Sequence, residues 1–66
     1  MVLIDCYARR SNGELELTDT IPTNDRTEAD MMLFLLCQQA KEDRSGMFGY
    51  YGVYDEDKFL FSQQVM

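Results

Sequence analysis

The chain has no histidine and no tryptophan, a single proline, two cysteines and only six lysines and arginines in 66 residues. The shortages of histidine, of basic residues and of cysteine each close off a class of function. Without imidazole the usual proton shuttle near neutral pH is missing, and general acid–base catalysis loses its commonest agent. Six bases against twelve carboxylates leave a net charge of −6. That is the wrong sign for a phosphate backbone, which is held mainly by Lys and Arg, so no direct nucleic-acid contact is expected. An anionic membrane surface would repel the chain for the same reason. The longest apolar run, residues 31–37, falls far short of the roughly 20 residues of a membrane span. Residues 1–4 are apolar but stop at Asp5 with no basic leader, so no secretory signal is expected. Cys6 and Cys37 have no Cys-x-x-Cys spacing, and a secreted chain this short normally carries more bridges. The expectation is two reduced thiols in a cytoplasmic protein, serving as small buried hydrophobes.

What is present points to one small domain over residues 1–66. A chain of 7.7 kDa should fold to roughly 4,300 Å² of surface, with room for one core. Asn12-Gly13 is the preferred dipeptide of a two-residue type I′ turn, because both positions need positive φ. Such a turn pairs residues whose numbers sum to 25. Val2, Ile4, Cys6 and Ala8 then share a face with Leu15, Leu17 and Ile21, and Arg9 stands across from Glu16. Pro22 is expected to end the second strand. Asn24 to Thr27 supply a helix start, with either Asp25 and Glu28 or Thr27 and Asp30 as a capping pair.

The helix should run from about residue 26 to 44, with Lys41 and Arg44 in its last turn and Gly46 as its stop. Its core stripe is Ala29, Met32, Leu33, Leu36, Cys37 and Ala40. At about 100° per residue, Met31, Phe34 and Leu35 fall on the other side. A helix resting on one sheet has no use for this second apolar patch. Residues 47–66 read as a second hairpin with Glu56-Asp57 at its tip. One face holds Phe48, Tyr50, Tyr54, Phe59, Phe61 and Val65, and the other Met47, Tyr51, Val53, Leu60 and Met66. Gly49 and Gly52 mark a bulge or a close backbone approach. The expected fold is α+β in ββαββ order: a four-stranded, mainly antiparallel sheet with one helix on one face.

Few residue groups suggest chemistry. Neither cysteine has a histidine partner. Asp55, Glu56 and Asp57 lack the spaced oxygens and sharp glycine of a calcium loop, and Glu14, Glu16 and Asp19 have no apolar surroundings to raise a pKa. No metal, cofactor or enzymatic activity is therefore expected. Tyr50, Tyr51 and Tyr54 form a stacking surface without the Lys and Arg that accompany base recognition, which leaves core packing or protein contact. The candidate interface is Met31, Phe34, Leu35, Tyr50, Tyr51, Tyr54, Asp55, Glu56 and Asp57. The reading is a small acidic interaction module, an inhibitor or regulator that takes a basic or apolar site on a larger protein. Homodimer formation through Met31, Phe34 and Leu35 is expected as well. In size and charge the chain is similar in character to phage or mobile-element proteins that block a host factor, an analogy without a residue motif. The alternative is a self-associating structural protein.

Overall fold

The computed structural model describes residues 1–43 and 47–65. Its elements are β1 (Val2–Arg9), β2 (Leu15–Thr23), α1 (Arg26–Glu42), β3 (Tyr50–Asp55) and β4 (Lys58–Gln64). The four strands form one antiparallel sheet in the order β2-β1-β3-β4, with α1 packed on one face. The fold is α+β in ββαββ order, as the sequence implies.

The first hairpin keeps the expected register from Val2↔Thr23 to Cys6↔Asp19 and then slips by one residue, so that Tyr7 faces Leu17 and Arg9 faces Leu15. Thr18 is the extra residue, and its hydroxyl donates to the Cys6 carbonyl at 3.1 Å. The slip lengthens the turn to three residues. Arg10 N–H donates to the Glu14 carbonyl at 2.7 Å and Gly13 N–H to the Arg10 carbonyl at 2.9 Å. Gly13 takes φ 87, while Asn12 uses its side chain to accept from Glu14 N–H at 3.0 Å. A type I′ turn would put Asn12 in the left-handed region too, whereas this loop confines positive φ to the glycine. The slip decides the faces. Leu15 and Leu17 lie on the sheet face away from Val2 and Ile4, and Glu16 meets Arg10 at 3.5 Å rather than facing Arg9.

Pro22 does not end β2, which continues to Thr23. Glu56 N–H donates to the Met1 carbonyl at 3.1 Å, so odd positions of β1 turn their backbone groups toward β3. Leu3 is one of them, and its partner Pro22 thus occupies an edge position where no ladder N–H is needed. The buried Thr23 hydroxyl donates to the Val2 carbonyl at 2.7 Å and fixes this corner.

Of the two capping pairs, Asp25 and Glu28 form. Asp25 caps α1 by accepting from Glu28 N–H at 2.8 Å, and the Glu28 carboxylate takes the Asn24 amide at 3.0 Å. The helix stops at Glu42, with Asp43 as its C-cap. Arg44 and Gly46, expected in and after the last turn, lie outside the described residues. Ala29, Leu33 and Cys37 are buried and Met32 and Leu36 partly so, packed against Val2, Ile4, Tyr51 and Val53.

The second hairpin turns at Glu56-Asp57 as expected, with Glu56 at φ 54. Tyr54 faces Phe59, but Val53 faces Phe61 and leaves Leu60 as a second extra residue. Phe61 and Val65 therefore join the helix side instead of sharing a face with Tyr50 and Tyr54. Gly49, at φ 105, lets the chain pass Val65: a Cβ there would come within 3.1 Å of the Val65 Cβ.

Candidate functional site

Two apolar surfaces stand out among the described residues, on opposite sides of the molecule. The first is on α1. Helical spacing sends Met31, Phe34 and Leu35 away from the sheet, and they are 66, 63 and 56 % exposed. With Asp30 they line a shallow dish. Phe34 and Asp30 also border a groove of about 330 Å³ between α1 and β4, walled on the sheet side by Phe61 and Gln63. The Arg26 guanidinium stacks 4.7 Å above the Phe61 ring and reaches Asp30 at 3.2 Å. Exposed pairs of this i,i+4 kind contribute about 0.3–0.5 kcal/mol.

The second surface is the sheet face away from α1. Register places Pro22, Leu3, Tyr54 and Phe59 in one row across the strands. Thr20, Asp5, Gly52 and Ser62 follow, then Leu17, Tyr7, Tyr50 and Gln64, and finally Leu15 beside Arg9. The Tyr54 and Phe59 rings meet edge-on at 5.4 Å, and the Arg9 guanidinium lies 5.0 Å over Tyr50. Gly52 makes room for two rings: a Cβ there would meet Tyr54 Cε2 at 3.2 Å and Tyr7 Cε2 at 3.7 Å. Burial, and then a hydrogen bond with Tyr54, push the Tyr7 phenol up from its ordinary value. The result is a basin of about 270 Å³ bordered by Tyr7, Tyr50, Tyr54 and Phe59. Among the charged residues of the four strands, only Asp5 and Arg9 belong to this face. The Asp5 carboxylate accepts from the Thr20 hydroxyl at 2.9 Å.

The expected interface residues thus separate. Met31, Phe34 and Leu35 share the helix dish, while Tyr50 and Tyr54 lie on the opposite sheet face. Tyr51 is on neither: alternation turns it under the helix, where it is 7 % exposed and donates to the Leu36 carbonyl at 3.1 Å. Asp55, Glu56 and Asp57 stand exposed at the β3–β4 turn. That turn lies at the end of the sheet where Val2 meets Thr23 and Asp55, the end from which α1 starts. Residues 25–30 and 55–58 together hold six carboxylates against Arg26 and Lys58, whereas at the β1–β2 turn Glu14 and Glu16 are matched by Arg9 and Arg10.

Tyr7, Leu15, Leu17 and Phe59 form a common open surface that residue alternation alone does not reveal. Phe59 and Tyr54 are legible as neighbours, but the slip at Thr18 has no local signature.

Both cysteines are free. Burial, then the carboxylates of Asp19 and Asp5, hold the Cys6 thiol above its ordinary pKa. Burial raises Cys37 as well, against an opposing pull from Lys41. These are thiols rather than thiolates at neutral pH, a poor state for nucleophilic attack. Among the described residues, no three side chains of metal-binding type are grouped to hold an ion, and no helix is long and apolar enough to cross a membrane. No family model matches the chain, and no curated protein or solved structure matches it either.

Proposed function

We propose that the chain is a small acidic protein-interaction module, an inhibitor or regulator of the phage or mobile-element type, that docks on a larger protein without catalysis. One observation supports this reading: the exposed Met31–Phe34–Leu35 dish opens beside the end of the molecule where six carboxylates face two bases. A basic partner surface would be steered toward that end by charge and held by the apolar dish. Two protonated free thiols suit a reducing, cytoplasmic setting.

The test is affinity for a basic protein captured by the chain, measured at low and high salt. Exposed charges are screened within about 10 Å at 0.1 M, so binding should weaken as salt rises. Leu35→Glu and the double change Asp55→Asn with Asp57→Asn should each weaken it at least tenfold. Binding that ignores salt and all three substitutions would overturn the reading. The alternative class, a self-associating protein, draws on a different observation: the open sheet face.

A further inference from the structure

We infer that the open face of the sheet is covered by a second copy of this chain, in a two-fold dimer with the sheets stacked and the helices outward. Charge argues first. Each copy carries −6, so two copies repel unless they meet where charge is sparse. The helix dish is a poor meeting place, since it borders Asp30 and the acidic end. On the sheet face the strands contribute only Asp5 and Arg9, one of each sign, four positions apart on β1. A two-fold contact pairs residue i with j and j with i. An axis crossing β1 near Tyr7 therefore sets the Asp5 of each copy toward the Arg9 of the other. The face is self-complementary in charge, and the rest of it is aromatic, aliphatic or neutral.

Area agrees. The molecule measures 32 × 22 × 16 Å between Cα extremes, so an elliptical outline of its broad side covers about 550 Å² per copy. Two copies stacked over that whole side would bury at most about 1,100 Å², just above the roughly 1,000 Å² that a biological interface should clear. Interface cores are depleted in charge and enriched in Tyr and Phe, which is the composition of Tyr7, Tyr50, Tyr54 and Phe59. Stacked sheets lie about 10 Å apart, close enough for Leu15 and Leu17 to reach the opposing face. This dimer uses the side opposite the helix dish and leaves the dish free for a partner.

Sedimentation equilibrium of the full chain, over a concentration series at low and high salt, tests the inference. The wild type should dimerise. Leu17 pairs with Tyr7 and so meets its own copy across the axis. Leu17→Glu and Leu17→Lys add charge of either sign at this half-exposed position, where like charges face each other, and each should weaken the dimer at least tenfold. Leu35→Glu on the helix should change it less than twofold. Salt should leave the dimer unchanged or tighten it, because it screens the repulsion between two chains of −6. That trend is opposite to the one expected for a basic partner, so either reading can fail alone. A wild type still monomeric at about 1 mM, where association would be weaker than about 4 kcal/mol, would overturn the dimer. So would one broken by Leu35→Glu but untouched by Leu17→Glu, or one that loosens tenfold as salt rises.

Discussion

The two faces of the sheet are both apolar, yet only one is covered. Beneath α1 lie Val2, Ile4, Tyr51 and Val53, with Ile4 and Val53 inaccessible to solvent. On the other side Leu15 and Leu17 remain 49 and 53 % exposed beside three tyrosines. An antiparallel sheet with a helix on one side commonly keeps its second face polar. The difference arises at two extra residues. Thr18 shifts the register so that Leu15 and Leu17 turn outward, and Leu60 shifts it so that Phe61 turns inward. The same one-residue slip thus supplies the core in one hairpin and enriches the open face in the other.

The largest test of this contrast is truncation on each side. Ile4→Ala should destabilise the fold by about 2–5 kcal/mol, through lost burial and an unfilled cavity. Leu17→Ser, on the open face, should change the monomer by less than about 0.5 kcal/mol. Chemical denaturation of dilute protein measures both, and equal losses would erase the distinction between the faces.

A smaller effect is expected at the turn that precedes the slip. Gly13 sits at φ 87 with no atom within 4 Å of a built Cβ, so Gly13→Val is opposed by backbone conformation alone, at about 1–3 kcal/mol. An unchanged denaturation midpoint would show that the three-residue loop is misassigned.

Deleting Thr18 should shift stability by only about 1 kcal/mol. Removal of a bulged residue leaves the pairs on either side of it intact. In an unbroken ladder the same deletion would invert every side chain beyond it and unfold the hairpin, so the outcome separates the two registers directly.

The mildest test is alkaline. Burial raises the pKa of Cys6, Cys37 and Tyr51 in the folded chain. A raised folded value means that the native state keeps protons the unfolded state has released. Stability should hold up to about pH 9.0, the ordinary thiol value, and decline as pH climbs further. These three groups lie on the covered side, so Tyr7→Phe on the open side should leave most of the decline in place. A flat thermal midpoint from pH 8 to 11 would contradict this.

Much of the architecture is legible in the residues. Alternation in residues 2–8, the Asp25 cap and the Ala29–Leu33–Cys37 stripe specify two strands, a helix and its buried side, and Met31, Phe34 and Leu35 fall outside that stripe. The open sheet face is not legible, for a physical reason. Period-2 reading assumes an unbroken ladder, and a single bulge reverses parity without changing local composition. Thr18 sits among Asp19 and Thr20, and Leu60 between two phenylalanines, so neither stands out. Pro22 misleads in the opposite direction, because its effect depends on whether its nitrogen faces a neighbouring strand, a property of sheet order rather than of sequence.

That sheet order has a kinetic consequence. β1 and β3 form the seam between two hairpins, and Ile4 meets Val53 across it after 49 intervening steps of chain. Each hairpin can zip from its own turn in microseconds. The seam must instead close a loop about four doublings longer than a three-residue turn, an entropic handicap of about 2–3 kcal/mol. The slow event in folding is then the docking of two preformed ribbons beneath the helix. Substitutions in either turn, already formed when the ribbons dock, should then act mainly on the folding rate, while those at Ile4 and Val53 should divide between slower docking and faster separation of the finished sheet.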